Sequence, residues 1–271
     1  MKMAAGILVL LFFCSCQPLS RLQNVGFSQA RITGSSFYKT AASFNWKQRD
    51  SFAVEQILSG NIPSVLTQLV PVTTSQIDSA TGKKITAVFY VTPDYLSIGT
   101  NEDWARVPLT PMAAQRLADR FNCFLPTRKM VDAIYHAAKV KLEPVPLYAF
   151  RDSSPTMYHH HLIIEGQRRG QSGLIAGIKK DVVISGKISR DAKPNRVAIY
   201  GWHKPDGKPI QPLYTGHVNW YVDYSHGIRL VYRKIKLNGQ WMDYTEILTH
   251  PVYQKLLCDE PWCDFFQYSH Q

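Results

Sequence analysis

Histidine, aspartate and serine side chains collect between residues 201 and 229 of this 271-residue chain. His203 and His217 stand at either end of a connection rich in glycine, proline and polar residues. Asp223 follows His217 at an even spacing, so on a strand the two side chains would share one face. Imidazole and carboxylate groups that lie close together can carry out general acid–base chemistry. The segment therefore predicts one pocket bordered by His203, His217 and Asp223.

The run YVDYSHGIRLV places polar residues inside a sequence that otherwise predicts a strand. A glycine within a strand marks a bulge or a close approach of two backbones. We expect Gly227 to bend the strand so that His226 and Arg229 reach the polar connection. Ser225 falls on the face of the expected pocket and completes the set of expected catalytic residues.

Further side chains near this segment are expected to bind a substrate. Two lysines and an aspartate interrupt the apolar run LIAGIKKDVVIS, although charged residues are seldom fully buried unless they are paired. Alternatively, these charges protect an edge strand from aggregation. The expected substrate-binding residues are Lys179, Lys180, Trp202, Gln211 and Tyr214.

Three consecutive histidines, His159, His160 and His161, have the composition of a metal-binding tract. The surrounding run MYHHHLIIEG predicts a strand, and alternation along a strand would point His160 away from its neighbours. We therefore expect no metal ion or cofactor at this tract. Metal-dependent hydrolysis by the two histidines and the aspartate of the expected pocket stays open as an alternative.

Cys123 is a further candidate catalytic residue, a possible nucleophile, because it lies in FNCFLPT directly ahead of a predicted helix. A helix N-terminus can lower the pKa of a thiol and so activate it. His217 follows on a later strand, and Asp223 or His203 would orient its imidazole. This order resembles that of papain-like cell-wall amidases and endopeptidases, although the usual neighbours of their cysteine are absent. The alternative is a small apolar residue at a junction between helices.

The segment VAIYGWH, followed by YSHGIRLV, resembles the catalytic segment of L,D-transpeptidases, the enzymes that crosslink bacterial peptidoglycan. Ser225 to Gly227 and then Ile228 and Arg229 match that family's Ser-His-Gly-Cys-Ile-Arg motif in order. The cysteine that should stand between Gly227 and Ile228 is missing. The resemblance implies a peptidoglycan substrate, but the family's thiol chemistry cannot occur at this position.

The chain opens MKMAAGILVLLFFCSCQPLS, in which one lysine precedes a short apolar run. This run is far shorter than the roughly 20 residues of a membrane span, so residues 1–16 are interpreted as a lipoprotein-type signal peptide. Cys16 follows a small serine and is the expected lipidation site, with Cys14 or plain secretion as alternatives. Lipidation would anchor the exported protein to a membrane, facing the periplasm or the cell exterior. Residues 17–45 are rich in polar residues and are expected to form a flexible tether.

Lysine and arginine give the chain a formal net charge of +11, but they are spread along it without the basic run of a nucleic-acid-binding arm. A basic exported protein can meet anionic envelope polymers or a membrane surface. A solvated basic surface without a dedicated partner is the alternative. Cys258 and Cys263 lie close together, and a disulfide between them fits an oxidising compartment.

The order of predicted elements points to an α+β fold. The run Lys84–Val91 predicts a strand, Thr110 caps a first helix, and LPTRKMVDAIYHAAKV predicts a second helix. After residue 155 most runs predict strands, with a short helix that begins near Tyr244. The sequence therefore predicts two helices followed by a mainly antiparallel sheet, in a single domain over residues 46–271.

Together these patterns favour an exported cell-envelope protein, a hydrolase or transferase that acts on peptidoglycan or another glycan through the histidine and aspartate site. A non-catalytic glycan-binding lipoprotein is the main alternative, in which aromatic rings stack on sugars and polar groups bind their hydroxyls. The rings expected to do so are Trp202, Tyr214, Trp220, Tyr221 and Trp241. Neither interpretation involves nucleic acid.

Overall fold

The computed structural model describes residues 21–26 and 32–270. Within these residues the protein has a mixed α+β fold, as the sequence predicts. The predicted signal peptide, residues 1–16 with the lipidation site Cys16, lies outside the described residues. Among the described helices, none is long and apolar enough to cross a membrane.

Eight α-helices occur in the described part of the chain. They are α1 (Gly34–Thr40), α2 (Trp46–Leu58), α3 (Pro111–Arg120), α4 (Arg128–Ala137), α5 (Ser154–Arg168), α6 (Gly186–Ser189), α7 (Tyr244–Thr249) and α8 (Gln254–Leu257). Helices α3, α4 and α7 confirm the predictions made for them. Their first turns are fixed by capping side chains; in α3, Thr110 accepts a hydrogen bond from Ala113 N and Pro111 occupies the first position.

The described residues also form short and long strands. They are β1 (Val70–Ile77), β2 (Lys84–Val91), β3 (Ser97–Gly99), β4 (Trp104–Arg106), β5 (Cys123–Phe124), β6 (Val140–Lys141), β7 (Ile175–Ala176), β8 (Lys180–Val183), β9 (Arg196–His203), β10 (Pro209–Val218), β11 (His226–Gly227), β12 (Val231–Tyr232), β13 (Lys234–Leu237) and β14 (Gln240–Asp243). The predicted strand Lys84–Val91 is confirmed with the same bounds.

Ten of these strands form two sheets, and the other four form the two-stranded pairs β3–β4 and β6–β7. The larger sheet has the order β14-β13-β2-β12-β5, with β1 paired to β2, and its pairs are antiparallel. The second sheet has the order β10-β9-β8-β11, in which the β8–β11 pair is parallel and the others are antiparallel. Antiparallel pairing therefore dominates, as predicted. Strands also precede the two predicted helices, since β1 to β4 come before α3 and α4.

The predicted flexible tether is structured over the residues described. Helix α1 buries Phe37 and Tyr38, and the Tyr38 hydroxyl donates to the Arg106 carbonyl at 2.6 Å. Residues 21–26 are also attached, since Leu22 N donates to Thr67 O. The tether prediction is wrong for residues 21–26 and 32–45; residues 17–20 and 27–31 lie outside the described residues. The prediction took serine and threonine residues as signs of a flexible segment, although some of them cap helices. Thr33, for example, caps α1 by accepting from Ser36 N.

The strand predicted for MYHHHLIIEG is also wrong, because this run lies in α5. Ser153 caps the helix by accepting from Thr156 N, and a proline in the first turn favours the helix start. The buried residues recur at the three- and four-residue spacing of one helix face. They are Met157, His160, His161 and Ile164.

Candidate functional site

The segment that follows β10 turns back on itself instead of continuing as a strand. Strand β10 ends at Val218, whose carbonyl accepts from Tyr221 N at 3.0 Å. A second turn follows, in which the Asp223 carbonyl accepts from His226 N at 3.1 Å. Asp223 also accepts from Ser225 N through its side chain, a local bond typical of turns. The strand predicted across this segment is wrong, and alternation on a strand does not relate His217 to Asp223.

The Asp223 carboxylate is the centre of the site. One oxygen accepts from the Ser225 amide and hydroxyl, and the other accepts from Arg151 at 2.9 Å and from the Tyr221 hydroxyl at 3.2 Å. Burial alone raises the pKa of Asp223, but the nearby His226 and the hydrogen bonds from Ser225 outweigh it and bring the pKa to about 2. Asp223 is therefore a fixed negative charge whose lone pairs are already occupied.

His217 lies in a cluster of aromatic rings next to this carboxylate. Its ring centroid is 4.7 Å from Tyr221, 5.1 Å from Tyr214 and 6.0 Å from His226. Partial burial lowers the pKa of His217, which the charge of Asp223 opposes only in part. A neutral imidazole at neutral pH follows, and a neutral imidazole can accept a proton. The predicted grouping of His217 with Asp223 is therefore present, through a turn instead of a strand face.

His226 belongs to the same cluster but is fully buried. Burial lowers the pKa of His226 to about 4, so its ring is neutral at neutral pH. Its Nε2 atom has no hydrogen-bond partner among the described residues. Ser225 is also buried, and its hydroxyl donates to Asp223. Both residues therefore support the site from the protein interior and cannot contact a substrate directly.

A pocket of about 490 Å³ lies beside the cluster, and Tyr221 is part of its wall. Its size is in the range of small-molecule sites. The wall combines four aromatic side chains with six polar or charged ones. The aromatic residues are Phe44, Trp46, Trp220 and Tyr221, and the polar or charged ones are Ser43, Asn45, Arg49, Asp152, Ser153 and Ser154.

Lys179, just before β8, and Lys180, its first residue, differ in their surroundings. Lys179 is fully buried, donates to the Tyr224 carbonyl and lies 3.3 Å from His160 Nδ1. Burial lowers the pKa of Lys179 to about 7. Lys180 places its ammonium 5.1 Å from the Trp202 ring centre, and burial lowers the pKa of Lys180 as well.

Strand β8 pairs with β9 on one side and β11 on the other, so the edge-strand interpretation of its charges is wrong. One oxygen of Asp181 accepts from the Tyr95 hydroxyl at 2.9 Å, and the other lies 3.8 Å from Arg229 Nε. Lys179 and Trp202 are buried within the fold, which argues against direct contact with a substrate. Both lysines interact electrostatically with Asp223, which partly opposes the lowering of their pKa values by burial.

His203 belongs to a different cluster from His217. Its Nε2 lies 2.8 Å from Asp132, which also accepts from the Tyr200 hydroxyl, and its ring stacks on Tyr135 at 4.5 Å. His217 pairs with Val197 across the hairpin, and Val197 lies six positions before His203 on β9. At the rise of a regular strand, His203 and His217 are therefore roughly 20 Å apart. The predicted pocket shared by His203, His217 and Asp223 is therefore wrong.

The remaining predicted residues near the motif have structural surroundings. Arg229 donates to the carbonyls of Thr92 and Ile175 and lies over the Tyr95 ring at 4.2 Å, so it does not reach the polar connection. A Cβ atom at Gly227 would lie 2.5 Å from the Tyr95 ring. Gly227 therefore permits a close approach, and the expected bend toward the connection is not its role.

Cys123 is buried in β5, five positions before α4 begins, and its thiol lies 3.4 Å from the Phe121 carbonyl. Burial raises the pKa of the Cys123 thiol well above its ordinary value. The expected activation at a helix start is wrong, because neither the helix terminus nor a thiolate is present there. Cys258 and Cys263 form the expected disulfide.

The other predicted ligands are dispersed. Gln211 lies on β10 and donates to Pro212 O, and Trp241 contacts Tyr90 and Tyr232 on the larger sheet. In the described residues there is no group of three or more histidine, cysteine, aspartate or glutamate residues that could hold a metal ion. The donor set required for the metal-dependent alternative is therefore not assembled by the predicted residues.

Arg49, Arg151, Asp152 and Ser154 are functional candidates that the sequence does not single out. Arg49 lies in α2, and the other three lie at the start of α5 or just before it. These residues lie far along the chain from Tyr221 and reach it only through the fold. A helix cap at Ser153 is the local signal that would have located the α5 terminus.

Comparison of the chain with protein-family models, with curated proteins and with solved structures finds no match.

Proposed function

We propose that the chain is an exported cell-envelope protein that binds a glycan, such as peptidoglycan, and acts on it as a hydrolase or transferase. One observation carries the proposal: His217 lies between two tyrosine rings, and one of them, Tyr221, also lines the neighbouring pocket. These rings and the two tryptophans of the pocket wall are together called the aromatic strip. It consists of Tyr214, His217, Tyr221, Trp220 and Trp46.

The aromatic strip has the properties of a sugar-binding surface. Tyr214 and Trp220 are each 43% exposed and Trp46 is 37% exposed, so their faces are open to a ligand. Flat rings stack on the apolar faces of sugars, while nearby polar groups bind the hydroxyls. Arg151 lies at the edge of the strip and is held by Asp223.

His217 is the group in the strip that can carry chemistry. As a neutral imidazole it can take a proton from water or from a sugar hydroxyl, whose oxygen bonds to the glycan carbon as the glycosidic bond breaks; the protonated His217 then gives the proton to the leaving sugar oxygen. The ionised Asp223 then stabilises the positive charge that forms on His217. Since Cys123 and Ser225 are buried, the proposal uses water or a hydroxyl as the attacking group and requires no covalent intermediate.

The cellular setting rests on sequence and on one structural feature. The N-terminal pattern predicts export and lipidation at Cys16, and the Cys258–Cys263 disulfide fits an oxidising compartment. A net charge of +11 favours anionic envelope polymers as partners. The partial resemblance to L,D-transpeptidases points to the same polymer.

A non-catalytic glycan-binding protein is the second candidate. It is favoured by the occupied lone pairs of Asp223, because that carboxylate cannot act as a base or nucleophile without losing its hydrogen bonds. The two candidates share the aromatic strip and differ in whether His217 moves a proton.

The test combines binding with product release. Purified peptidoglycan and soluble glycan fragments are incubated with the wild type and with Trp220→Ala, His217→Gln and Trp241→Ala. We expect Trp220→Ala to weaken retention on the polymer about tenfold or more, a loss in the range of one aromatic contact. Trp241 is 45% exposed but lies on the larger sheet, so Trp241→Ala is the matched control and should bind normally.

Mass spectrometry of the soluble fraction separates the two candidates. For an enzyme, His217→Gln keeps binding but lowers product release by about 100-fold, the scale of a lost general base. The wild-type rate should stay level near neutral pH and fall only below the ordinary imidazole range, because the pKa of His217 is lowered. Binding without released product, in all proteins, supports the binding-only candidate. Unchanged binding by Trp220→Ala refutes the aromatic strip as the site.

A further inference from the structure

Two helices begin at the wall of the 490 Å³ pocket. Asn45 and Trp46 are the cap and first residue of α2, and Ser153 and Ser154 are those of α5. Both helices exceed three turns. A helix N-terminus carries partial positive charge, so two of them at one pocket favour an anionic group.

Arg49 provides an independent observation in the same wall. It is only 3% exposed, its Nη1 donates to the Asp152 carbonyl at 3.1 Å, and its Nε has no partner. Among the ion pairs of the described residues, none involves Arg49. The neighbouring Asp50 interacts with Arg49 only at longer range and directs one oxygen to Thr110. Burying a guanidinium without a paired carboxylate costs desolvation free energy, and a ligand anion would offset that cost by forming the missing ion pair.

Ser154 adds a second unused polar atom. It is 3% exposed, lines the pocket, and its hydroxyl has no hydrogen-bond partner. Asp152 is the acidic side chain in this wall and is exposed, so it would repel a second anion and accept hydrogen bonds from hydroxyls. Arg49 is the one basic residue among the described residues of the lining. This set matches one negative charge and several hydroxyls.

We propose that the pocket selects a sugar that carries a carboxylate. The Arg49 guanidinium donates to the carboxylate, and the Ser154 side chain turns its hydroxyl toward it, in the field of the two helix N-termini. The sugar ring stacks on the aromatic wall formed by Trp46, Trp220 and Tyr221, and its hydroxyls donate to Asp152. This inference rests on the proposed function, because it names the substrate class of the same site.

The test uses one disaccharide in charged and neutral forms. The probes are N-acetylglucosamine linked to N-acetylmuramic acid and the methyl ester of that compound, which removes the charge but keeps the ring. Titration calorimetry on the full-length protein should show that the acid binds about tenfold or more tightly than the ester, as expected for a charge-assisted contact. Arg49→Gln should bring this ratio near one, and Ser154→Ala should reduce it. Arg116→Gln, the same change at an exposed position of α3, should leave it unchanged.

The outcomes separate this inference from the function beneath it. Equal binding of acid and ester by the wild type overturns the carboxylate selection but leaves glycan binding in place. A preference that persists in both Arg49→Gln and Ser154→Ala also overturns it. If neither probe binds, both proposals fall. Melting curves check that Arg49→Gln is folded; if it is not, the wild-type ratio and Ser154→Ala decide.

Discussion

Replacing Asp223 with asparagine tests the centre of the site directly. The change keeps the shape of the side chain but removes its charge and turns one acceptor oxygen into a donor. If the amide oxygen still accepts from Ser225, the amide nitrogen must face the donors of Arg151 and Tyr221. The guanidinium of Arg151 has no acceptor to offer, so one hydrogen bond is lost without replacement.

The expected loss of stability follows from the pKa of Asp223. Its ordinary value is 3.8 and its value in the folded protein is about 2, a difference of about 1.8. At about 1.36 kcal/mol per pKa unit, this corresponds to about 2 kcal/mol of stabilisation from the charged form. The side chain is 1% exposed, so solvent screening does not reduce this figure greatly. We therefore expect Asp223→Asn to lower the free energy of unfolding by about 2 kcal/mol at pH 7.

The pH dependence has a defined sign. The pKa is lower in the folded state, so the stabilisation is fully present above 3.8 and is lost as the pH falls through about 2. The difference between the wild type and Asp223→Asn should therefore stay constant from pH 7 to about pH 5. By pH 3 it should have fallen to about half.

Urea unfolding followed by tryptophan fluorescence measures this difference at pH 7, 5, 4 and 3. Glu55→Gln removes one exposed charge from α2 and is the control, which should stay within about 0.5 kcal/mol of the wild type. Equal stability of Asp223→Asn and the wild type at pH 7 would refute the reasoning. So would a loss that is as large at pH 3 as at pH 7, because it would come from packing and not from the charge.

Three further predictions concern the fold and the N-terminus. Gly227→Ala places a Cβ 2.5 Å from the Tyr95 ring and should lower the free energy of unfolding by about 1–3 kcal/mol. Gly166→Ala in α5 meets nothing within 4 Å and should raise it by about 0.5–1 kcal/mol. Urea midpoints that shift in the same direction from the wild type in both variants would contradict this. Iodoacetamide should label Cys123 much more slowly in the folded than in the urea-unfolded protein, and fast labelling of the folded protein would contradict its burial. Cys16→Ser should move the protein from the membrane fraction to the soluble fraction, and retention in the membrane fraction would count against lipidation.

Local patterns predicted several elements correctly. The strand Lys84–Val91 alternates along its length, and the caps at Thr110 and Thr127 begin α3 and α4. Such signals depend on neighbouring residues, so they can be found without the fold. The same reasoning failed for α5, because its β-branched and aromatic residues outweighed the cap at Ser153 in the prediction. It failed again at Thr33, where polar composition suggested a tether although a helix follows.

The site was predicted only in part, for a physical reason. His217, Asp223 and His226 lie close in sequence, and a turn brings them together even though the strand argument was wrong. His203 was grouped with them because the polar connection joins it to His217. That connection is mostly strand β10, which carries His217 to the open end of the β9–β10 hairpin, whereas His203 lies next to the turn. Arg49 reaches the pocket from a helix near the start of the chain. No local pattern encodes that contact.

Tyr221 couples the stability of the site to its binding, because its ring lines the pocket and its hydroxyl is held by Asp223. A change at Asp223 therefore releases part of the pocket wall as well as destabilising the fold. A ligand that binds only the folded state at about 100 times its Kd adds about 2.7 kcal/mol of stability, close to the loss expected for Asp223→Asn. The two effects are of similar size. Because Asp223→Asn no longer accepts the hydrogen bond that holds Tyr221, a glycan that fits the pocket would stabilise the wild type more than the variant. That difference depends on the tyrosine being held in place.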